Sequence, residues 1–201
     1  YANRGRFPQD CFGLFELETF NCHKGGRCKF SVSPRLTKLK EDFETNGGVW
    51  KKWKIGELFV PSNGNFDIQQ IHINGKGDYV VSSGEQNGGI IGKTDIPALI
   101  FEKNTITVDM FGNVFYRDFK YKMVTHARVF SLKLLSEKFT EKAVKYVTSN
   151  LNFLKECFSY SNMASWNKIK EMNIKLPTLN NQPAYDYMEQ YIILLEEEKM
   201  L

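Results

Sequence analysis

The spacing of apolar residues changes once along this chain, near Ser136, and that change constrains the fold more than any other feature. Before it, apolar residues come in short β-branched and aromatic runs. Asp78-Tyr79-Val80-Val81-Ser82-Ser83, Thr105-Ile106-Thr107-Val108-Asp109-Met110-Phe111, Asn113-Val114-Phe115-Tyr116 and Ala127-Arg128-Val129-Phe130-Ser131-Leu132 all read as strands, and Gly and Asn between several of them signal tight turns. After it, Phe139, Ala143, Val147, Leu151, Leu154 and Phe158 recur at steps of three and four, the mark of an amphipathic helix, with Ser136 as its N-cap and Glu137 in its first turn. The switch predicts an α+β fold: a bent, mostly antiparallel β-unit over 49–135 with helices packed on it.

The flanks are less regular. Residues 1–48 read as an unassigned N-terminal arm, with a short strand at Phe12, Leu14, Phe15 and Leu17 and helical spacing from Leu36 to Phe43. The chain begins at Tyr1, not methionine, which is compatible with a missing upstream part. Ser165 caps a short helix through Trp166 and Ile169, and Ile174-Lys175-Leu176-Pro177 is extended. Pro183 suits the first turn of a last helix, whose stripe of Met188, Tyr191, Ile192 and Leu195 is either core or a partner face; its place at the chain's end favours the partner. Three units follow: 1–48, 49–178 and 179–201, the last being the start of a long helix.

Composition narrows the function classes. Apolar residues make up 42% of the 201, enough for a core. No apolar run is long enough to span a membrane, and no signal peptide opens the chain. Net charge is only +4, too mild to diagnose nucleic-acid binding by itself. The excess gathers at Arg117, Lys120, Lys122, Arg128 and Lys133, opposed within 117–133 by Asp118 alone. Cys11, Cys22, His23 and Cys28 form a conceivable zinc set, but their spacing fits no zinc pattern, so free thiols in a reducing cytoplasm are the better expectation. Phosphate loops, nucleophile elbows, methyltransferase motifs and a clustered nuclease carboxylate set are all missing. Binding is therefore expected rather than catalysis, with an assembly module as the alternative and a self-contained nuclease a distant third.

Four stretches, in this order, resemble the target-recognition domain of restriction–modification specificity subunits. Trp53-Lys54-Ile55-Gly56-Glu57-Leu58-Phe59 resembles its opening strand, and the Ser/Gly/Asn-rich run from Val80 to Gly92 resembles its polar loop. Thr105-Ile106-Thr107-Val108 through Gly112-Asn113-Val114-Phe115-Tyr116 resembles its central strand and glycine turn. Ser165-Trp166-Asn167-Lys168-Ile169-Lys170 with Ile174-Lys175-Leu176-Pro177 resembles the lead into the spacer helix. After it, Asn180 to Met188 stands where the family often has a Glu-Gln helix start, a variant nearer the Type IIB/IIG relatives than Type I. The resemblance implies a non-catalytic module that reads one half of a bipartite duplex DNA target. It also implies a DNA adenine methyltransferase and endonuclease subunits or domains as partners, a helix-mediated dimer, and S-adenosylmethionine bound by the methyltransferase alone.

Elementary recognition chemistry then assigns candidates. Gln86 and Asn87 can each pair bidentately with adenine, and Arg128 or Lys93 can face guanine. Lys76, Arg117, Lys120 and Lys122 suit phosphates, which position the protein without specifying sequence. Plainer readings stand beside these. The glycine-rich loop can simply shape a hairpin, Lys120 and Lys122 can be a solvated strand face, and His126 is expected to be structural. Phe111, Phe115 and Tyr116 are expected in the core, and Trp53 and Trp166 as packing residues.

Overall fold

A computed structural model describes residues 33–199 and the antiparallel strand pair Thr19–Asn21 (β1) and Lys29–Ser31 (β2). The strand expected at 12–17 and the cysteine–histidine group at 11–28 lie outside the described residues. The first helix, α1 (Pro34–Thr45), shows why a short segment folds locally. Ser33 accepts the Leu36 amide, Pro34 takes the first helical position, and Gly47 ends the helix at φ +84°. The Gly48 amide reaches back to the Phe43 carbonyl and Gly47 to Glu44, a double C-cap.

The next strand, β3 (Val49–Lys54), does not join the strands that follow it. It pairs antiparallel with β11 (Asn173–Leu179) over six residues, so residues 49–54 and 173–178 close on each other. A one-turn helix, α2 (Ile55–Leu58), then delivers β4 (Phe59–Asn63) to the edge of a second sheet. That sheet runs β4, β10 (Phe130–Leu134), β7 (Thr105–Val108) and β8 (Val114–Arg117), with antiparallel pairing throughout. Pro61 sits in β4, where an edge strand tolerates a residue with no amide hydrogen. The third sheet has β5 (Asp78–Val81) between β6 (Ile90–Thr94) and β9 (Tyr121–Met123). β5 and β6 form an antiparallel hairpin, whereas β5 and β9 run parallel.

The helical layer differs from the expectation of one helix over 136–158. Helix α3 (Glu141–Asn150) starts at Thr140, whose hydroxyl accepts the Ala143 amide. Ser136 instead accepts the Lys138 amide in a preceding turn. The apolar period continues after Asn150, but the backbone breaks, and α4 (Leu154–Cys157) is a separate turn. Continuity of the stripe reflects a shared core, not a shared helix. Ser165 does precede α5 (Trp166–Ile169), capping it through its backbone carbonyl and not its hydroxyl. Asn180 and Asn181 both have positive φ (52° and 61°), making a two-residue hairpin turn from β11 into β12 (Gln182–Pro183). Pro183 therefore ends a strand, and α6 (Tyr185–Lys199) begins after it.

Among the described residues three apolar clusters result, two of them extensive and the third a small one of Phe43, Ala184 and Tyr187 between α1 and α6. The larger joins α1, α3 and α6 to the four-stranded sheet, with Leu132, Leu151, Leu176 and Met188 fully buried. Met188, Ile192 and Leu195 face this core, so the terminal stripe is not left free for a partner as expected. α1 packs on α6, where Phe43, Trp50 and Tyr187 meet ring to ring, Arg35 pairs with Glu197 at 2.7 Å and Ser33 donates to Glu198. Trp53 and Trp166 pack against the larger core as expected, with the Trp53 indole donating to Thr178 Oγ1. The smaller core lies under the third sheet, around Ile68, Val80, Val81, Phe101 and Met123. Tyr121 links the two sheets: its ring packs in the smaller core while its hydroxyl bonds Thr105 and Ser131 of the four-stranded sheet.

Candidate nucleic-acid interface

The parallel pairing of β5 with β9 sorts the candidate residues into two groups. Tyr79 faces Tyr121 and Val81 faces Met123, so the two strands enter at one end and leave at the other. Lys76 precedes β5 and Lys120 precedes β9. Lys93 pairs with Tyr79 across the hairpin, and these three lysines share the entry end. Gln86 and Asn87 follow β5 and Arg128 follows β9, at the exit end. Lys76, Lys93 and Lys120 thus sit at one end of this short ladder and Gln86, Asn87 and Arg128 at the other, with Arg117 beneath the second group.

At the exit end the 82–89 loop is a strained, well-bonded turn. Gly84, Asn87, Gly88 and Gly89 all have positive φ. A side chain at Gly89 would put its Cβ 2.6 Å from the Ser82 carbonyl, so glycine is required there. The Ser82 amide donates to the Gly89 carbonyl at 2.8 Å and closes the loop. Asn87 donates its side-chain amide to the Ile90 carbonyl at 3.2 Å, leaving its oxygen at the surface, and Gln86 is exposed beside it. Glu85, a like-charge hazard for DNA, is paired with Lys155 at 2.8 Å. Arg128 is exposed at φ +51° with one guanidinium nitrogen on the Met163 sulfur at 2.8 Å.

At the entry end Lys76 and Lys120 are exposed and Lys93 is half-buried, with Asp78, Asp95 and Glu102 among them. Lys76 is solvated on a turn held by the Asn74 side chain. Lys93 lies over the Tyr79 ring at 4.4 Å. Lys120 is exposed and pairs with Glu102 at 3.0 Å, a surface bridge weak enough to exchange for a phosphate.

Two candidates are corrected by their burial. Arg117 donates Nε to Thr107 Oγ1 at 2.9 Å and Nη2 to the Gly88 carbonyl at 2.7 Å, beside the Phe115 ring. Burial pulls its guanidinium down to about 10, which still leaves a cation at neutral pH. Lys122 is 4% exposed and donates to the Thr94 and Ile96 carbonyls at 3.2 and 2.7 Å, with Asp78 at 3.6 Å. Both cations complete backbone acceptors inside the fold, so neither is free to meet a phosphate. The 82–89 loop covers Arg117, and Lys122, itself in β9, turns onto the carbonyls at the end of β6. His126 is structural but exposed: Asp67 accepts its ring nitrogen and its backbone amide, which holds the Asp67 carboxyl below its usual range.

The β4–β5 loop carries exposed residues that no sequence pattern above singles out. Gln69, Gln70, Ile71 and His72 form a tight turn in which the Gln69 amide donates to His72 Nδ1 at 2.9 Å, and Ile71 stands 87% exposed. The adjacent glutamines were the available signal. Asp109 was read as part of a strand, although Asp-Met-Phe-Gly-Asn between two strands is the pattern of a side-chain-capped turn. Among the described residues, no group of three or more His, Cys, Asp or Glu is placed to hold a metal, and no helix is long and apolar enough to cross a membrane.

The fold is shared with solved restriction–modification subunits. A Type I S subunit from M. genitalium superposes with a TM-score of 0.57 at 16% identity, over 81% of this chain and 42% of that one. The HsdS subunit from Thermoanaerobacter tengcongensis gives 0.51 at 10% identity, over 83% and 44%. A chain from a structure describing complex assembly and conformational transition of the type I R-M system gives 0.54 at 12% identity, over 93% and 42%. This chain therefore spans less than half the length of each. No curated protein sequence matches it. The model of the Type I restriction modification DNA specificity domain matches residues 48–200, and by that match this chain belongs to that family.

Proposed function

We propose that this chain reads one half of a bipartite duplex DNA target, with residues 49–178 as the reading unit and 179–201 as the start of the spacer. The observation that carries this is the 82–89 loop: an exposed Gln86–Asn87 tip on a backbone fixed by internal hydrogen bonds, with Arg128 at the same end of the sheet. Amide side chains match adenine and a guanidinium matches guanine in the major groove. Lys76, Lys93 and Lys120 at the other end take phosphates and set the docking angle. A DNA adenine methyltransferase and an endonuclease subunit act on the site so selected, and S-adenosylmethionine belongs to the methyltransferase. The assembly-only alternative rested on a free apolar stripe and the modest net charge of +4, and the chain's own core covers Met188, Ile192 and Leu195.

The test is selection from a randomised duplex pool at ~0.15 M salt, using this chain in complex with its partner subunits. Enrichment of one motif is expected, and Gln86→Ala relaxes it at one or two positions. Equal recovery of all sequences would sink the reading.

A further inference from the structure

The polar tip of the 82–89 loop stands between two buried charged side chains from a different sheet. Asp109 and Arg117 are each 3% exposed. Asp109 Oδ2 accepts the Gly84 amide at 2.8 Å, on one side of the tip. Arg117 Nη2 donates to the Gly88 carbonyl at 2.7 Å, on the other. Gln86 and Asn87 lie between these two points. Each anchor is itself locked. Asp109 also accepts the Phe111 and Asn113 amides and the Asn113 side chain, all at 2.9 Å, and Arg117 is fixed to Thr107. The loop is therefore referenced to the β7–β8 hairpin and not only to its own strands.

Resting on the reading of Gln86 and Asn87 just given, we propose that Asp109 and Arg117 are positioning residues for sequence discrimination, clamping the loop backbone on both sides of its tip. Two bonds to one base edge must both fall near 2.7–3.2 Å, so a tip that drifts by about an ångström keeps at most one. The loop's internal bonds set its shape, but with three glycines and four positive-φ residues they do not by themselves place that shape against β7 and β8. Filling the same volume with an apolar side chain would avoid the desolvation of a guanidinium, but would leave the Gly88 carbonyl unheld. The clamp touches no DNA, so it governs which sequence binds and leaves the electrostatic, sequence-independent affinity alone.

The experiment compares the unaltered complex with Arg117→Met, Arg117→Lys and Asp109→Asn, on the motif enriched from the randomised pool and on a scrambled duplex. Hydrogen exchange is followed at residues 82–89 and in β7 and β10. The expected result is a loss of motif-over-scrambled preference of about tenfold or more for Arg117→Met, with scrambled binding unchanged. Partial recovery is expected in Arg117→Lys, and faster exchange confined to 82–89. In a Gln86→Ala, Asn87→Ala background, Arg117→Met should cost no further preference, since the clamp acts through the tip. Full preference retained by both Arg117→Met and Asp109→Asn would overturn the proposal. So would exchange rising as much in β7 and β10 as in the loop, which would make the pair ordinary core residues. Failure of the unaltered complex to enrich any motif would instead overturn the reading of Gln86 and Asn87.

Discussion

The two cores of this chain are held by different forces. Around the larger one, burial is apolar and extensive: Leu132, Leu151, Leu176 and Met188 are shut off from water, and residues from α1 to α6 meet there. The smaller one, under β6–β5–β9, is bordered by buried charge. Asp109 and Arg117 hold one end of the β5–β6 hairpin, and Lys122 holds the other. A surface that must offer polar groups to a nucleic acid cannot be fixed by the hydrophobic effect, because the residues it presents are not apolar. Hydrogen bonds from charged groups underneath do the fixing, and burial elsewhere supplies the stability.

This contrast orders the expected effects of mutation. Met188→Ala opens a cavity where α6 meets the main core and should cost about 2–5 kcal/mol in denaturant unfolding. Specific and unspecific DNA binding should then fall together. A local loss confined to α6 would show that the helix is not integral to the core. Lys122→Met leaves the Thr94 and Ile96 carbonyls without their donor and should cost about 1–3 kcal/mol. Its salt dependence of DNA binding should stay unchanged; a slope smaller by about 0.9 would restore Lys122 as a phosphate contact. Lys120→Ala should show the reverse: a slope reduced by about 0.9, with stability altered by less than about 1 kcal/mol.

The smallest effect concerns pH. The Lys142 side chain donates to Glu196, and this bond, joined by Lys145 at 3.5 Å, holds the Glu196 carboxyl below its ordinary 4.5. Because the folded value is depressed, the stabilisation is complete above 4.5 and is lost as pH falls through the lower folded value. Glu196 is 41% exposed, so solvent screening keeps the effect small. Glu196→Gln should lower stability at neutral pH by less than about 1 kcal/mol and flatten the acid limb of an unfolding curve.

Strands β5, β7, β8 and β10, the α1 helix and the α+β class were legible because each rests on short-range periodicity, whereas β4, β6 and β9 were not, and Trp53–Phe59, expected as an opening strand, turns into α2 at Ile55. Helix α3 was legible only in part. Its apolar period ran on through Leu154 and Phe158, and nothing local showed that the backbone breaks after Asn150. Pro183 suits a helix's first turn, but the two consecutive positive-φ asparagines before it close a hairpin and leave it in a strand. In the candidate interface, Gln86, Asn87, Lys76 and Lys120 are exposed where the sequence placed them. Arg117 and Lys122 are not, since what buries them, the 82–89 loop and the end of β6, is distant from them in the chain.

By itself, the sequence determined what is local: where strands and helices form, which turns need glycine or asparagine, and which side chains can pair with bases. Only the tertiary structure decided which of the cations meet water, that β3 pairs with β11, and that β5 runs parallel to β9. Those outcomes depend on contacts between residues far apart in the chain. The free energy of a charge is set by what surrounds it, and a lysine's surroundings are not written beside it.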